Sequence, residues 1–563
     1  MTDALAVVAD DVHDALMAVS PLEAGLLGDH RFDADVPDLS PGGVAATRRT
    51  LAGLADRLAQ IDDTVLTTVD RVTRDVAAHA VAHAVHDLDD RYLRTAAGPM
   101  TSGAGIGSAA AALLTSLPKV VLRDATHAQD HLTRCRRIPG WLAAAEAQLL
   151  AGVDGGCVPP ARLVAATVRV LDRYLVTDPS RDPLLLTAPT DHPDPDGWRV
   201  TLGDVLATRV HPALRRHRAV LADDVAPAAR PDDAVGLVHL PDGVALYDEA
   251  VRLHTTTDDS AARYHQLGLD LIAALADEYR QLGGRVLGTT DLPEIFARLR
   301  DDPALRFVTS DEVLATAEAS LRRAERALAG WFDDVPRIPC EVRAIPALEA
   351  PESTIAYYQP PAVDGSRPGT YFVNTTEPHL RTRFEAEVLA FHESVPGHHT
   401  QIATAMELDL PMLRRVHYLT AYAEGWGLYV ERLADEMGLY SDDLGRLGML
   451  SFDSWRACRL VVDTGMHAYG WSQQRAVEYL RANSPQSPRN IVNEVDRYVG
   501  WPGQALAYMA GRIRIEELRD RAGRALGPRF DVAGFHRVVL GQGAVPLQTL
   551  GYLVDAWIDG RAG

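Results

Sequence analysis

Between Glu385 and Gln401 the chain reads EAEVLAFHESVPGHHTQ, and four of those residues could do chemistry together. His392 is followed at once by Glu393, and His398 and His399 come shortly after. That is the side-chain set of a zinc peptidase, in which two imidazoles hold the metal and the glutamate beside the first takes a proton from water. The spacing departs from the usual H-E-x-x-H, because the fourth position after His392 is Pro396. In an uninterrupted helix His392 and His398 would stand about 120° apart and about 9 Å along the axis, and His399 about 10.5 Å away, too far for one ion. Pro396 removes a helix hydrogen bond and Gly397 tolerates unusual dihedrals, so the pair predicts a local bulge that absorbs two residues and brings His398 to the second ligand position. Without such a bulge, Pro-Gly simply ends the helix and the histidines cap it in solvent.

A third ligand is expected downstream. Leu419 to Glu431 reads LTAYAEGWGLYVE, an apolar helix with a carboxylate set into it. Glu424, between Ala423 and Gly425 and flanked by Tyr422 and Trp426, is badly placed for a solvated face, and a buried carboxylate is costly unless paired or bound to metal. The small residues Ala423, Gly425 and Gly427 would let this helix approach the metal helix closely. Glu431, two turns on, reads as a surface salt-bridge partner, with a place behind the ligands as the alternative. A donor for a developing oxyanion is also needed, usually His, Tyr or Arg. His467 and Tyr498 lead, followed by Tyr508 and Arg497. Against them stands the ordinary role of such residues as core aromatics and structural histidines.

These stretches carry a resemblance. HESVPGHHTQ, AEGWGLY, DTGMHAYGW and WPGQALAY, with YYQPP…DGSRPGTYFVN between Tyr357 and Asn374, resemble the signatures of the bacterial domain-of-unknown-function 885 family. That family is similar in fold to gluzincin zinc peptidases of the thimet-oligopeptidase and Taq-carboxypeptidase type. The resemblance covers the C-terminal half strongly and the N-terminal half only in its helical character. It implies zinc (Zn2+) on His392, His398 and Glu424, with Glu393 as general base. Gly397-His398 resembles the Gly-His of the related peptidases, which favours His398 over His399. The Gly369–Asn374 strand would then resemble the edge strand along which such enzymes lay an extended peptide.

The elements that must position these residues are mostly helices. Ala45 to Leu93, Ala109 to Leu150, Pro160 to Leu175 and Ala261 to Leu282 repeat apolar residues at three- and four-residue spacing. Thr309-Ser310-Asp311-Glu312 is an N-cap cluster for a helix to about Phe332. Three strand-like runs, Cys340 to Ile345, Ser353 to Tyr358 and Gly369 to Asn374, fall between Ile338 and Thr376. The expected fold is mainly α: a large two-lobed helical metallopeptidase-like fold with a small antiparallel sheet beside the metal helix. Residues 1–337 would form a helical N-terminal lobe able to wall off the metal, and 338–563 the catalytic lobe.

Composition bounds the function. Of 563 residues 47% are apolar and 24% charged, which permits a large core and excludes global disorder. The formal charge of −21 argues against nucleic acid or an anionic membrane as partner. No apolar run approaches the length of a membrane span, and the aspartate-rich start lacks the basic region of a secretory signal. Four scattered cysteines without a C-x-x-C pair fit a reducing cytoplasm. His79, His83 and His86 could bind metal, but a helix surface is the expected reading. Arg367 reads as an exposed turn residue that could bind a substrate carboxylate. The expected activity is zinc-dependent hydrolysis of a peptide or small amide. A structural metal site, or hydrolysis of non-peptide amides and esters, are the alternatives. The intact Glu393 speaks against the first of these, since a structural site needs no base.

Overall fold

The computed structural model describes residues 3–99, 108–189, 191–346, 350, 354–361 and 367–562. The fold is mainly helical, as the periodicity predicts. The elements that matter in the N-terminal half are α1 (Asp3–Val19), α2 (Thr68–Asp87), α3 (Ala125–Gly155), α4 (Gly243–Thr255), α5 (Ala261–Val286) and α6 (Ser310–Arg326). The long run from Ala45 to Leu93 is not one helix. It breaks after Ala59, and α2 restarts on a capping box between Thr67 and Asp70. The run from Ala109 to Leu150 likewise breaks after Ser116, next to Pro118. α6 opens on the reciprocal Thr309–Glu312 capping box that the sequence displays, but ends at Arg326 rather than near Phe332.

All three strands form, as β1 (Cys340–Ala344), β2 (Ala356–Gln359) and β3 (Gly369–Val373). Ser353 lies outside the described residues. The sheet order is β1-β3-β2, with β1 parallel and β2 antiparallel to β3. The expected antiparallel sheet is therefore mixed. β3 is also central rather than an edge, so its backbone groups are taken by both neighbours and it cannot receive an extended peptide. Position in a sheet is set by pairing between distant segments, which local alternation does not report.

The C-terminal half continues with α7 (Ala386–Glu393), α8 (His398–Glu407), α9 (Thr420–Glu436), α10 (Asp443–His467), α11 (Pro488–Gly500), α12 (Ala507–Leu526) and α13 (Leu547–Ala562). The change of texture near residue 338 is not a break in packing. One hydrophobic cluster joins Leu5 and Val12 of α1 to Trp426 of α9, Ile515 of α12 and Val554 of α13. Another joins Tyr247 of α4 and Tyr279 of α5 to Leu450 and Leu460 of α10. Each core is completed only by residues from both sides of that boundary. No helix among the described residues is long and apolar enough to cross a membrane.

Candidate metal centre

α7 ends at Glu393 and α8 begins at His398, so the predicted bulge is a full break of Ser394–Gly397, with a cis Val395–Pro396 peptide bond. The turn is closely fitted from outside and within. Trp426 of α9 donates its indole N–H to the Pro396 carbonyl at 2.9 Å. A Cβ on Gly397 would stand 1.9 Å from the His392 carbonyl oxygen, so only glycine fits there.

The break does what the bulge was expected to do. It places the His392 and His398 rings with centroids 4.6 Å apart. Glu424, on α9, points one carboxylate oxygen between them. Its Oε2 stands 3.5 Å from His392 Nε2 and 3.6 Å from His398 Nε2. Those distances are too long for good hydrogen bonds. They match the separation of about 3.4 Å between atoms placed tetrahedrally around zinc at about 2.1 Å. All three side chains lie on the inside of the fold, 4%, 9% and 13% exposed. The residues fit a zinc ion by donor type, spacing and burial.

Electrostatics point the same way. Burial alone would lower the His392 imidazole, but Glu424 and Glu431 raise it to about 10. Burial alone would raise the Glu424 carboxyl, yet the two imidazoles hold it well below the ordinary carboxylate value. The group attracts a cation, and without a metal that cation is a proton.

Glu431 corrects its expected surface role. Its side chain is fully buried, and His392 Nδ1 donates to its Oε1 at 2.8 Å. This bond leaves Nε2 as the free ligand atom of His392, an arrangement that orients metal-binding histidines. Arg456, stacked between Phe452 and Trp455 at 4.1 and 4.3 Å, brings a guanidinium nitrogen to 3.9 Å from the same oxygen. Tyr418, which the sequence reading did not single out, donates its hydroxyl to Glu424 Oε1 at 2.8 Å. Of the two glycines beside Glu424, Gly427 faces the His392 ring, whereas Gly425 meets Gly511 of α12.

Glu393 ends α7, half-buried, and its carboxylate has no hydrogen-bond partner among the described residues. After burial, its charge is the next influence raising the Tyr371 hydroxyl. It also acts on Tyr418 and His392, so it lies within electrostatic reach of the group. His399 turns away, bonding Tyr358 at 2.9 Å and the Ile338 carbonyl at 3.0 Å.

The leading oxyanion candidates are not brought into service. His467 is fully buried; its Nδ1 accepts from the Leu237 N–H and its Nε2 donates to the Tyr498 carbonyl. Tyr498 accepts from Trp455 and Arg459 and donates its only proton to Glu494. Arg497 is occupied by Glu494 and Gln504. Tyr508 remains, half-buried, with the Arg459 guanidinium 4.1 Å over its ring and electrostatically coupled to Glu424.

The N-terminal histidines are not a helix surface either. His86 is buried, His79 donates to the Leu253 carbonyl, and His83 packs edge-on against His254. Arg367 donates to the Pro360 carbonyl. Another His/Asp/His group, His30, Asp33 and His127, lies close together. There, His30 and Asp33 already form a 2.8 Å hydrogen bond.

Fold and site together define a large, mainly helical protein built around a buried His–His–Glu group. The chain belongs to the bacterial family of unknown function DUF885, whose family model matches residues 21–554. Among solved structures it is similar to a protein of Colwellia psychrerythraea provisionally described as a lipoprotein, at 25% identity over 99% of each chain with a TM-score of 0.90. It is also similar in fold to a provisionally described lipoprotein of unknown function from Shewanella oneidensis, at 16% identity over 98% of this chain and 99% of that one, with a TM-score of 0.75. No functionally curated protein matches the chain.

Proposed function

We propose that the protein is a zinc-dependent hydrolase acting on short peptides, with a site resembling that of the gluzincin peptidases. The observation that carries this reading is the approach of His392 Nε2, His398 Nε2 and Glu424 Oε2 at zinc-ligand spacing, with Glu393 at the adjoining helix end. Zn2+ bound there would act as a Lewis acid, polarising a carbonyl and easing the ionisation of water. Glu431 and Tyr418 hold two of the ligands in orientation. Glu393, with no hydrogen-bond partner among the described residues, takes the proton from the attacking water and hands it to the leaving amine. Tyr508 replaces His467 and Tyr498 as the donor to the developing oxyanion, since Gln504 bonds to its hydroxyl oxygen and its proton has no acceptor among the described residues.

The cytoplasm is the compartment we propose. The four cysteines stand free, and three of them are buried. The lipoprotein descriptions are those of the two relatives, and fractionation of cells expressing the full chain with a C-terminal tag tests the assignment.

The decisive experiment pairs metal analysis with Glu393→Gln. That change keeps the shape and removes the basicity. Zinc content and melting temperature stay at wild-type values, while cleavage of any peptide that wild type cleaves falls by about 10²- to 10⁴-fold. Full activity in the variant removes Glu393 as the base, and no cleavage by wild type across a broad peptide library removes the hydrolase reading.

A further inference from the structure

Beside the metal group lies a partly open cavity of about 800 Å³, lined by α1, α2, α3 and the segment leading into α9 among others. That size is within the range of about 300–1,000 Å³ that holds small ligands. Tyr418 joins the two: it lines the cavity, half its surface exposed, while its hydroxyl is bonded to Glu424.

The walls have a definite chemistry. Leu16, Met17, Trp141 and Trp501 give apolar surface. Between them stand His13, His79, His83, His254 and His417. Burial lowers the imidazoles of His13, His79, His254 and His417, His79 to about 4, and so favours their uncharged forms, while at His83 burial is outweighed by Asp87, which raises it. His13 Nδ1, His79 Nδ1 and His417 Nε2 have no hydrogen-bond partner among the described residues. Glu23, Asp35, Asp38 and Asp87 line the cavity against Arg137, which pairs with Asp35, and His83, which faces Asp87 at 3.4 Å, so the carboxylates outnumber the cations. Such a wall attracts or tolerates positive charge and repels negative charge.

Resting on the hydrolase reading above, we propose that this cavity is the substrate chamber of the metal group, and that it takes short apolar peptides of neutral or positive charge while excluding acidic ones. Apolar side chains lie against α1 and α3. The uncharged imidazoles serve peptide N–H and C=O groups without attracting carboxylates, and Tyr418 marks where the chamber meets the metal ligands.

The test separates binding from turnover. The full chain, freed of metal with a chelator, is titrated calorimetrically with two hexapeptides. One is built of Leu, Phe and Ala with a free amino terminus and an amidated end; the other has two of its alanines replaced by glutamate. The apolar peptide binds at least tenfold tighter. Met17→Trp and Ala112→Phe, which fill the chamber without touching the metal group, each weaken that binding at least tenfold. Equal affinity for the two peptides, tighter binding of the acidic one, or binding of neither overturns the chamber. Because that comparison uses wild type alone, it stands even where a variant fails to fold. Unchanged binding in both folded variants also overturns it. Apolar binding by the metal-free protein without turnover by the zinc-loaded one supports the chamber and removes the hydrolase reading.

Discussion

His392 is held at one nitrogen and open at the other. Glu431 takes Nδ1, and Nε2 faces Glu424 and the space between the ligands. Glu431→Gln keeps the shape but removes the charge behind the ring, so zinc affinity in a chelator competition falls about 10- to 100-fold. The two adjacent histidines give a sharper contrast. His398→Ala empties the site by elemental analysis. His399→Ala keeps the metal and lowers stability by about 1–2 kcal/mol through lost bonds to Tyr358 and Ile338. Loss of zinc from His399→Ala alone would contradict this geometry. Glu424 was legible because a carboxylate among Ala, Gly and Trp has no solvated place to go. Glu431 offered the same signal, lying seven residues on and so on nearly the same face. Tyr418 offered none, because an exposed tyrosine before a helix looks like any other. His467 and Tyr498 misled because residue type shows what a group can donate, not that its donors are already used.

At the scale of elements, the His–His–Glu group depends on how closely α9 passes α7. A Cβ on Gly427 would stand 2.5 Å from the His392 ring. Gly427→Ala therefore pushes a ligand aside although no ligand is altered, and zinc affinity falls at least tenfold while the far-ultraviolet dichroism of the helices is kept. Wild-type affinity in a folded variant would show that α9 can shift without cost. Helices were readable from apolar spacing and the break between α7 and α8 from Pro396, because both are local properties, whereas the break beside Pro118 is hidden within an unbroken apolar period. The sheet was readable only as strands. β1 and β3 are separated by β2 in sequence yet pair directly, and no residue in either announces its partner.

Across the whole molecule, Asp463 of α10 ties the two halves. Tyr247 of α4 donates to its Oδ1 at 2.5 Å and the Gly503 N–H at 3.0 Å. Burial raises this carboxyl from 3.8 to about 7. Below the unfolded value both states hold the proton. Between the two values the folded chain alone holds it, so this group's stabilisation is lost at about 1.4 kcal/mol per unit as pH rises, with nothing further lost above 7. Asp463→Asn keeps the acceptor and removes the titration. Its melting temperature therefore gains on wild type from pH 5 to 7 and then runs parallel, and parallel curves throughout would exclude Asp463 as the source. The shared cores also bear on synthesis. Gly268 of α5 lies so close to α10 that a Cβ there would meet Val461 at 2.7 Å and Leu460 at 2.8 Å. At about 5–20 residues per second, ribosomes need about ten to forty seconds to travel between those segments. α5 spends that interval on the nascent chain with an apolar side uncovered, so the yield of intact protein in a foreign host depends on what shields this helix until its partner emerges.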